Sequence, residues 1–261
     1  MRQLFAVLFL SLFILPARAA DLPTTSQDAP VEISAKHSLE WDRKAKTYTA
    51  REDAVATQGA LRISADLLKA HYLDEKQASD ISSLTAGGNV IIVSPPYTAY
   101  GDNAVYDVST GNATLTGEGL RIETPTEKLT AKESIVFYGK ENRLVATGGA
   151  TALRGTDRLN ARELSAIFAE DAQGKLGLRK MTAVGGVVIR TLKETIEGDR
   201  GSYDPVGQKA ELTGRVRIYQ GENWLEGTRA IVDLRTGHSQ LFSEHGDGRV
   251  KGVFYPKSTK K

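Results

Sequence analysis

The sequence predicts an all-β, elongated fold made of stacked pairs of short antiparallel strands, and three observations carry that expectation. First, a block recurs about 97 residues later: Gly101-Asp102-Asn103-Ala104-Val105-Tyr106-Asp107 returns as Gly198-Asp199-Arg200-Gly201-Ser202-Tyr203-Asp204, and Leu115-Thr116-Gly117 as Leu212-Thr213-Gly214. Second, Ala35, Ala65, Gly101, Ala131, Ala161, Gly198 and Gly227 open successive units at intervals of 30, 36, 30, 30, 37 and 29. Self-similarity at this period marks stacked supersecondary units that bury their apolar faces only against one another. Third, apolar and polar residues alternate in many short runs, which is the period of a half-buried strand.

Residues 1–19 form a cleavable export signal: Arg2 is a short basic region, Leu4 to Leu15 an apolar run broken only by Ser11, and Ala17-Arg18-Ala19 a small-x-small cleavage site. The run is too short to span a bilayer. Residues 20–30 are polar and punctuated by proline, as in a flexible leader. The pattern is then continuous over 31–254, one domain whose internal repeat covers about 35–130 and 131–228. Residues 255–261 make a basic tail. Removing Arg2 and Arg18 takes the net charge from +2 to zero, which argues against nucleic acid as a partner. With no cysteine there is no disulfide, thiolate metal site or lipidated thiol.

Within the domain, Val31-Glu-Ile33, Leu61-Arg-Ile63, Leu120-Arg-Ile122 and Val216-Arg-Ile218 alternate most clearly. Gly59, Gly88, Gly119, Gly149, Gly186 and Gly214 precede or begin such runs, where chain reversals are expected. Two stretches, 65–76 and 161–171, consist of good helix formers. They occupy the repeat positions of 101–107 and 198–204, whose Gly, Tyr and Val content suits strands, so both are read as strands.

Catalytic chemistry finds no foothold. His37, His71, His238 and His245 share no ligand spacing, and Glu244-His-Gly-Asp-Gly248 reads as a turn rather than a metal site. Asp102 and Asp107, like Asp199 and Asp204, stand an odd number of strand residues apart and face opposite ways, which leaves them turn and strand-end roles. Nucleophile elbows, phosphate loops and dinucleotide fingerprints are missing, and no cofactor is expected.

The apolar rows, Val31, Ile33, Leu61, Ile63, Val90, Ile92, Leu120, Ile122, Val187, Ile189, Val216 and Ile218, are candidates for one inner face. Alternation alone fits an ordinary core or a groove for flexible chains. Aromatic residues are only 7%, which suits a smooth groove for flexible chains better than stacking platforms for sugars. A stack of strands also leaves an unpaired strand at each end; the edges are expected around Val31 to Leu39 and around Trp224 to Leu234, where copies would join head to tail.

Ala29-Pro-Val-Glu-Ile-Ser-Ala-Lys-His-Ser-Leu-Glu-Trp41, Ala54-Val-Ala-Thr-Gln-Gly-Ala-Leu-Arg-Ile-Ser-Ala-Asp66, Leu84-Thr-Ala-Gly-Gly-Asn-Val90, Gly101-Asp-Asn-Ala-Val-Tyr-Asp107 and Arg249-Val-Lys-Gly-Val-Phe-Tyr-Pro256 together resemble the OstA-like family. The resemblance implies a twisted, V-shaped β-jellyroll, open at both ends, in the periplasm, acting in lipopolysaccharide transport. It further implies an interior that carries lipid A acyl chains, and end-to-end joining with other copies and with OstA-like domains of inner-membrane and outer-membrane partners. Val31 and Ile33 match the family's inward lipid contacts near the N-terminus, and Tyr106 closes its Gly-Asp-x-Ala-x-Tyr strand. The alternatives are a structural periplasmic scaffold with a collapsed core and an exported carbohydrate-active repeat enzyme.

Overall fold

The computed structural model describes residues 30–73, 81–170, 176–243 and 248–255. They form one antiparallel sheet of 18 strands. Strands β1 (Glu32–Ser34) and β2 (Ser38–Asp42) lie along β3 (Thr47–Gln58), after which β4 (Leu61–Tyr72), β5 (Ile81–Ser94) and β6 (Tyr97–Asp107) follow as a meander. The short strands β7 (Asn112–Thr116) and β8 (Arg121–Glu123) share β6, and pair in turn with β10 (Ser134–Tyr138) and β9 (Glu127–Thr130). Both of those pass the ladder to β11 (Arg143–Arg154). From there β12 (Asp157–Glu170), β13 (Leu176–Arg190), β14 (Thr195–Asp204), β15 (Lys209–Gln220) and β16 (Asn223–Asp233) continue the meander, and β17 (His238–Phe242) and β18 (Lys251–Val253) share β16.

Eight of the long strands, β3 to β5 and β11 to β15, carry a register shift near the middle. The shifts fall at Arg51/Ala54, Gly87/Val90, Thr147/Ala150, Val184/Val187 and Thr213/Val216 on one set of strands, and at Ser64/Leu67, Asn160/Glu163 and Glu197/Arg200 on the set between them. Aligned across the sheet, these bulges make a seam that divides it into two arms. Arm one holds the strand halves that end in two-residue turns such as Gly59-Ala60, Gly155-Thr156 and Gly221-Glu222. Arm two ends in longer turns, where Asp42, Asp107, Asp204 and Asp233 accept hydrogen bonds from the N–H groups of Ala45, Thr110, Gly207 and Thr236. Those N–H donors hold Asp204 and Asp233 below the ordinary carboxylate range, and Asp107 is lowered first by the Ser109 hydroxyl.

The repeat seen in the sequence is the imprint of this seam. Ala65, Gly101, Ala161, Gly198 and Gly227 are the small residues that face inward where the strands bend, and a Cβ added at Gly101 would lie 2.8 Å from Leu115 Cγ. The next residue faces outward and lies over the bulge of the neighbouring strand: Asp66 accepts from Asn89 Nδ2 at 2.9 Å, Asp102 from the Glu118 N–H at 2.6 Å, and Asp199 pairs with Arg215 at 2.7 Å. Asp102 and Asp199 are thus seam residues rather than strand ends, whereas Asp107 and Asp204 do close turns. Gly88, Gly149, Gly186 and Gly214 also differ from the sequence expectation, because they sit with positive φ in mid-strand bulges; Gly59 alone of that set opens a two-residue hairpin turn.

Bending at the seam brings the inner faces of the arms together, so their apolar residues form one cluster that runs through both repeats. This is the V-shaped jellyroll expected of the chain. The stretches rich in helix formers are strands β4 and β12 over their described residues, since each is hydrogen-bonded on both sides and that pairing outweighs local propensity. Among the described residues β1 and β2 pair only with β3, and β17 and β18 only with β16, which leaves the two ends of the stack apart. The C-terminal edge is therefore β17 and β18; the expected edge at 224–234 is β16, which both of them cover.

Candidate functional site

The interior between the arms is built by two interlocking inward rows. On arm one the rows step by two along each strand, as in Leu61 and Ile63, Val187 and Ile189, or Val216 and Ile218. Across the seam the step becomes three or four, so that Ala65 is followed by Leu68, and Leu212 precedes Val216. The bulge restores an inward direction that strict alternation would have lost.

Of the residues expected to line the interior, Ile63, Val90, Leu120, Val187, Ile189, Val216 and Ile218 are buried in the shared cluster. Ile33, Leu61, Ile92 and Ile122 are partly buried against it. Tyr106 is half-buried on arm two, while Val31 precedes β1 and is 40% exposed. All except Tyr106 belong to arm one. Sequence reasoning missed the facing wall, which includes Leu68, Leu115, Ile135, Leu164 and Leu212. The spacing of two recurs there, in Leu68-Lys-Ala70 and Leu84-Thr-Ala86, but with alanine as its second member.

Between the walls of the second repeat lies an apolar cavity of about 60 Å³, lined by Leu159, Val187 and Ile189 of arm one and by Met181, Tyr203 and Leu212 of arm two. Burial pushes the Tyr203 hydroxyl up, against the opposing charge of Arg154. At the mouth of arm one, Glu194 is only 7% exposed. Burial drives its carboxyl up to about 7, against the opposing charge of Lys193.

Both ends of the stack expose apolar side chains. At the N-terminal end Leu39 and Trp41 on β2 are 56% and 49% exposed. Trp41 stacks on Tyr48 with centroids 5.7 Å apart, and its Nε1 donates to Tyr72 Oη at 2.8 Å. At the other end Val250, Phe254 and Tyr255 are exposed. Among the described residues no three His, Cys, Asp or Glu side chains gather as a metal site would require, and His245 lies outside them. No helix among them is long and apolar enough to cross a membrane.

Among the described residues the chain is thus an all-β protein of the antiparallel jellyroll class, with apolar inner faces and apolar side chains exposed at both ends of the stack. The chain belongs to the family described as LptA/(LptD N-terminal domain) LPS transport protein, whose model matches it twice, over residues 32–137 and 128–238. The two matches overlap on 128–137, so β9 and β10 serve as the last strands of one unit and the first of the next. A similar solved structure is LptH, described as the LptA homologous periplasmic component of the conserved lipopolysaccharide transport device from Pseudomonas aeruginosa; it is 12% identical, with 89% of this chain and 99% of that one covered and a TM-score of 0.21. No curated protein matches the chain.

Proposed function

We propose that the chain is a periplasmic bridge that moves lipopolysaccharide from the inner to the outer membrane, with acyl chains lying between the two arms. It would join head to tail with further copies and with OstA-like domains of its inner- and outer-membrane partners, and it has no catalytic role. The observation that carries this reading, beside family membership, is the apolar cluster that runs through both repeats to two exposed apolar edges.

The energetics agree with it. Exposing one methylene to water costs about 0.8 kcal/mol, so a chain of about twelve costs roughly 10 kcal/mol, and a lipid with several chains needs a continuous apolar path. A cavity of about 60 Å³ is far too small for such a chain, so loading requires the arms to part. Among the described residues no backbone hydrogen bond links one arm to the other across the mouth, and the glycine-rich seam is where the sheet bends. Parting the arms therefore exchanges apolar contacts between walls for apolar contacts with the cargo.

The test is extraction of the protein, purified from the periplasm, with organic solvent followed by mass spectrometry. Co-purifying lipopolysaccharide is expected. A folded protein free of lipid, even after incubation with lipopolysaccharide, would leave the structural scaffold as the better reading, and turnover of glycans would favour an enzyme.

A further inference from the structure

Glu194 is a buried acid in an otherwise apolar row. Along β14 and the turn before it, residues 194, 196 and 198 are buried while 195 and 197 are half-exposed, so Glu194 continues the inward row of Ile196. Its backbone is pinned: its N–H donates to Thr191 Oγ1 at 3.1 Å, and its carbonyl accepts from the Thr191 N–H at 2.9 Å. Its carboxylate has no hydrogen-bond or ion-pair partner among the described residues. Across the turn stand Thr191 and, on the outward face, Arg190 of β13; on β15 the neighbours by register are Gln220 and the outward Tyr219. Among the described residues, the ionised group that acts on it is Lys193, which lowers it. An unpaired carboxylate so placed is poorly solvated before any ligand arrives, and an acyl chain laid over it removes the water that remains.

We propose that Glu194 is a proton-uptake site of the apolar path: a chain settling on the second repeat converts its carboxylate to the carboxylic acid, so that loading there is coupled to protonation. The inference rests on the lipid-path reading above. The proton comes from solvent, and no bond other than the O–H is made or broken. Coupling of this kind makes loading tighter as pH falls toward neutrality and progressively weaker above it, while Glu194→Gln, neutral throughout, loads independently of pH.

The test uses an uncharged single-chain amphiphile, dodecyl maltoside below its micellar concentration, titrated calorimetrically at pH 7 into the full mature protein in buffers of different ionisation enthalpy. The expected result is an uptake of about half a proton per bound chain, because a group half-protonated when free becomes neutral when covered. Glu194→Gln should bind the probe with no uptake. Binding by the wild type without uptake, or uptake that persists in Glu194→Gln, would overturn the proposal. If neither protein binds the probe at any pH between 5 and 9, the lipid path itself fails and the proposal with it. Independently of any ligand, the side-chain carboxyl of Glu194 should titrate near neutrality by carbon NMR; a midpoint in the ordinary carboxylate range overturns the proposal directly.

Discussion

Leu39 and Ile135 hold the same place in the repeat, yet Leu39 is 56% exposed and Ile135 only 3%. The difference is one strand: β10, which carries Ile135, is covered by β7, with Ile135 opposite Leu115, while the outer edge of β2 is bare among the described residues. Their neighbours show the same contrast. The Ser134 hydroxyl pairs with Thr147 Oγ1 at 2.9 Å, whereas among the described residues the equivalent Ser38 hydroxyl is buried without a partner, as is that of Ser239 on β17.

The internal junction thus offers a template for the proposed contact between copies. Leu115 stands opposite Ala104 on β6, as Leu241 of β17 stands opposite Ala230 on β16. Transferring that register places Leu39 of one copy opposite Leu241 of the preceding one, with Trp41 opposite Ser239. Since the chain has no cysteine of its own, Leu39→Cys combined with Leu241→Cys should give, on oxidation, a ladder of covalent oligomers on a non-reducing gel. Each single variant should stop at a dimer or remain monomeric. Absence of a ladder at high protein concentration would reject both the register and the head-to-tail arrangement.

Glu194 makes a separate prediction about stability. Its carboxyl is raised from about 4.5 to about 7, so the folded state favours the neutral acid. The stability this contributes is fully present below about 4.5 and is lost as pH rises through about 7. Glu194→Gln should therefore match the wild type near pH 4 and exceed it by on the order of 2 kcal/mol near pH 8. Urea unfolding at the two pH values reads the difference directly; equal gains at both would show that the carboxylate is not desolvated.

The seam glycines predict a graded series. Gly148 has φ of +83°, and a Cβ there would lie 2.7 Å from the backbone nitrogen of Glu133, which cannot swing away as a side-chain tip can. Gly186, with φ of +64°, has no atom of the described residues within 4 Å of that position. Gly186→Ala should cost about 1 kcal/mol, the ordinary penalty of a left-handed alanine, and Gly148→Ala clearly more. Comparable midpoints in chemical denaturation would mean that the bulge at Gly148 relaxes without resistance.

Arm one was legible in the sequence because its rows contain Val-x-Ile and Leu-x-Ile, in which both members are large and aliphatic. Arm two was not, for two physical reasons. The seam shifts the inward row by three or four residues, so a period-2 reading started at Ile63 fails to reach Leu68. Beyond it the rows pair leucine with alanine, as in Leu68 and Ala70, a weak signal in a hydropathy pattern. The edge at β17 was hidden because nothing in Trp224 to Leu234 distinguishes a covered strand from a terminal one. Glu194 was invisible for a different reason: a polar residue beside Leu192 and Lys193 reads as part of an exposed turn, and only the fold turns it inward.

Charge placed on the path should separate a lipid groove from a plain core. Val216 and Leu120, at 0% and 1% exposed, are poor probes, because an aspartate there unfolds the sheet under either reading. Ile122 is better: it lies on the short strand β8, is only partly buried, and faces the same cluster. Arg62 supplies the control, being exposed on the outward row of β4, whereas Arg121 stacks on Tyr100 at 3.7 Å and pairs with Glu123. Ile122→Asp should keep a cooperative thermal transition and lose affinity for lipopolysaccharide by about tenfold or more, since a tenfold loss needs only about 1.4 kcal/mol and an ionised carboxylate under an acyl chain costs more than that. Arg62→Asp should load normally. A folded Ile122→Asp that binds lipid like the wild type would mean that cargo, if carried at all, does not pass the junction between the repeats.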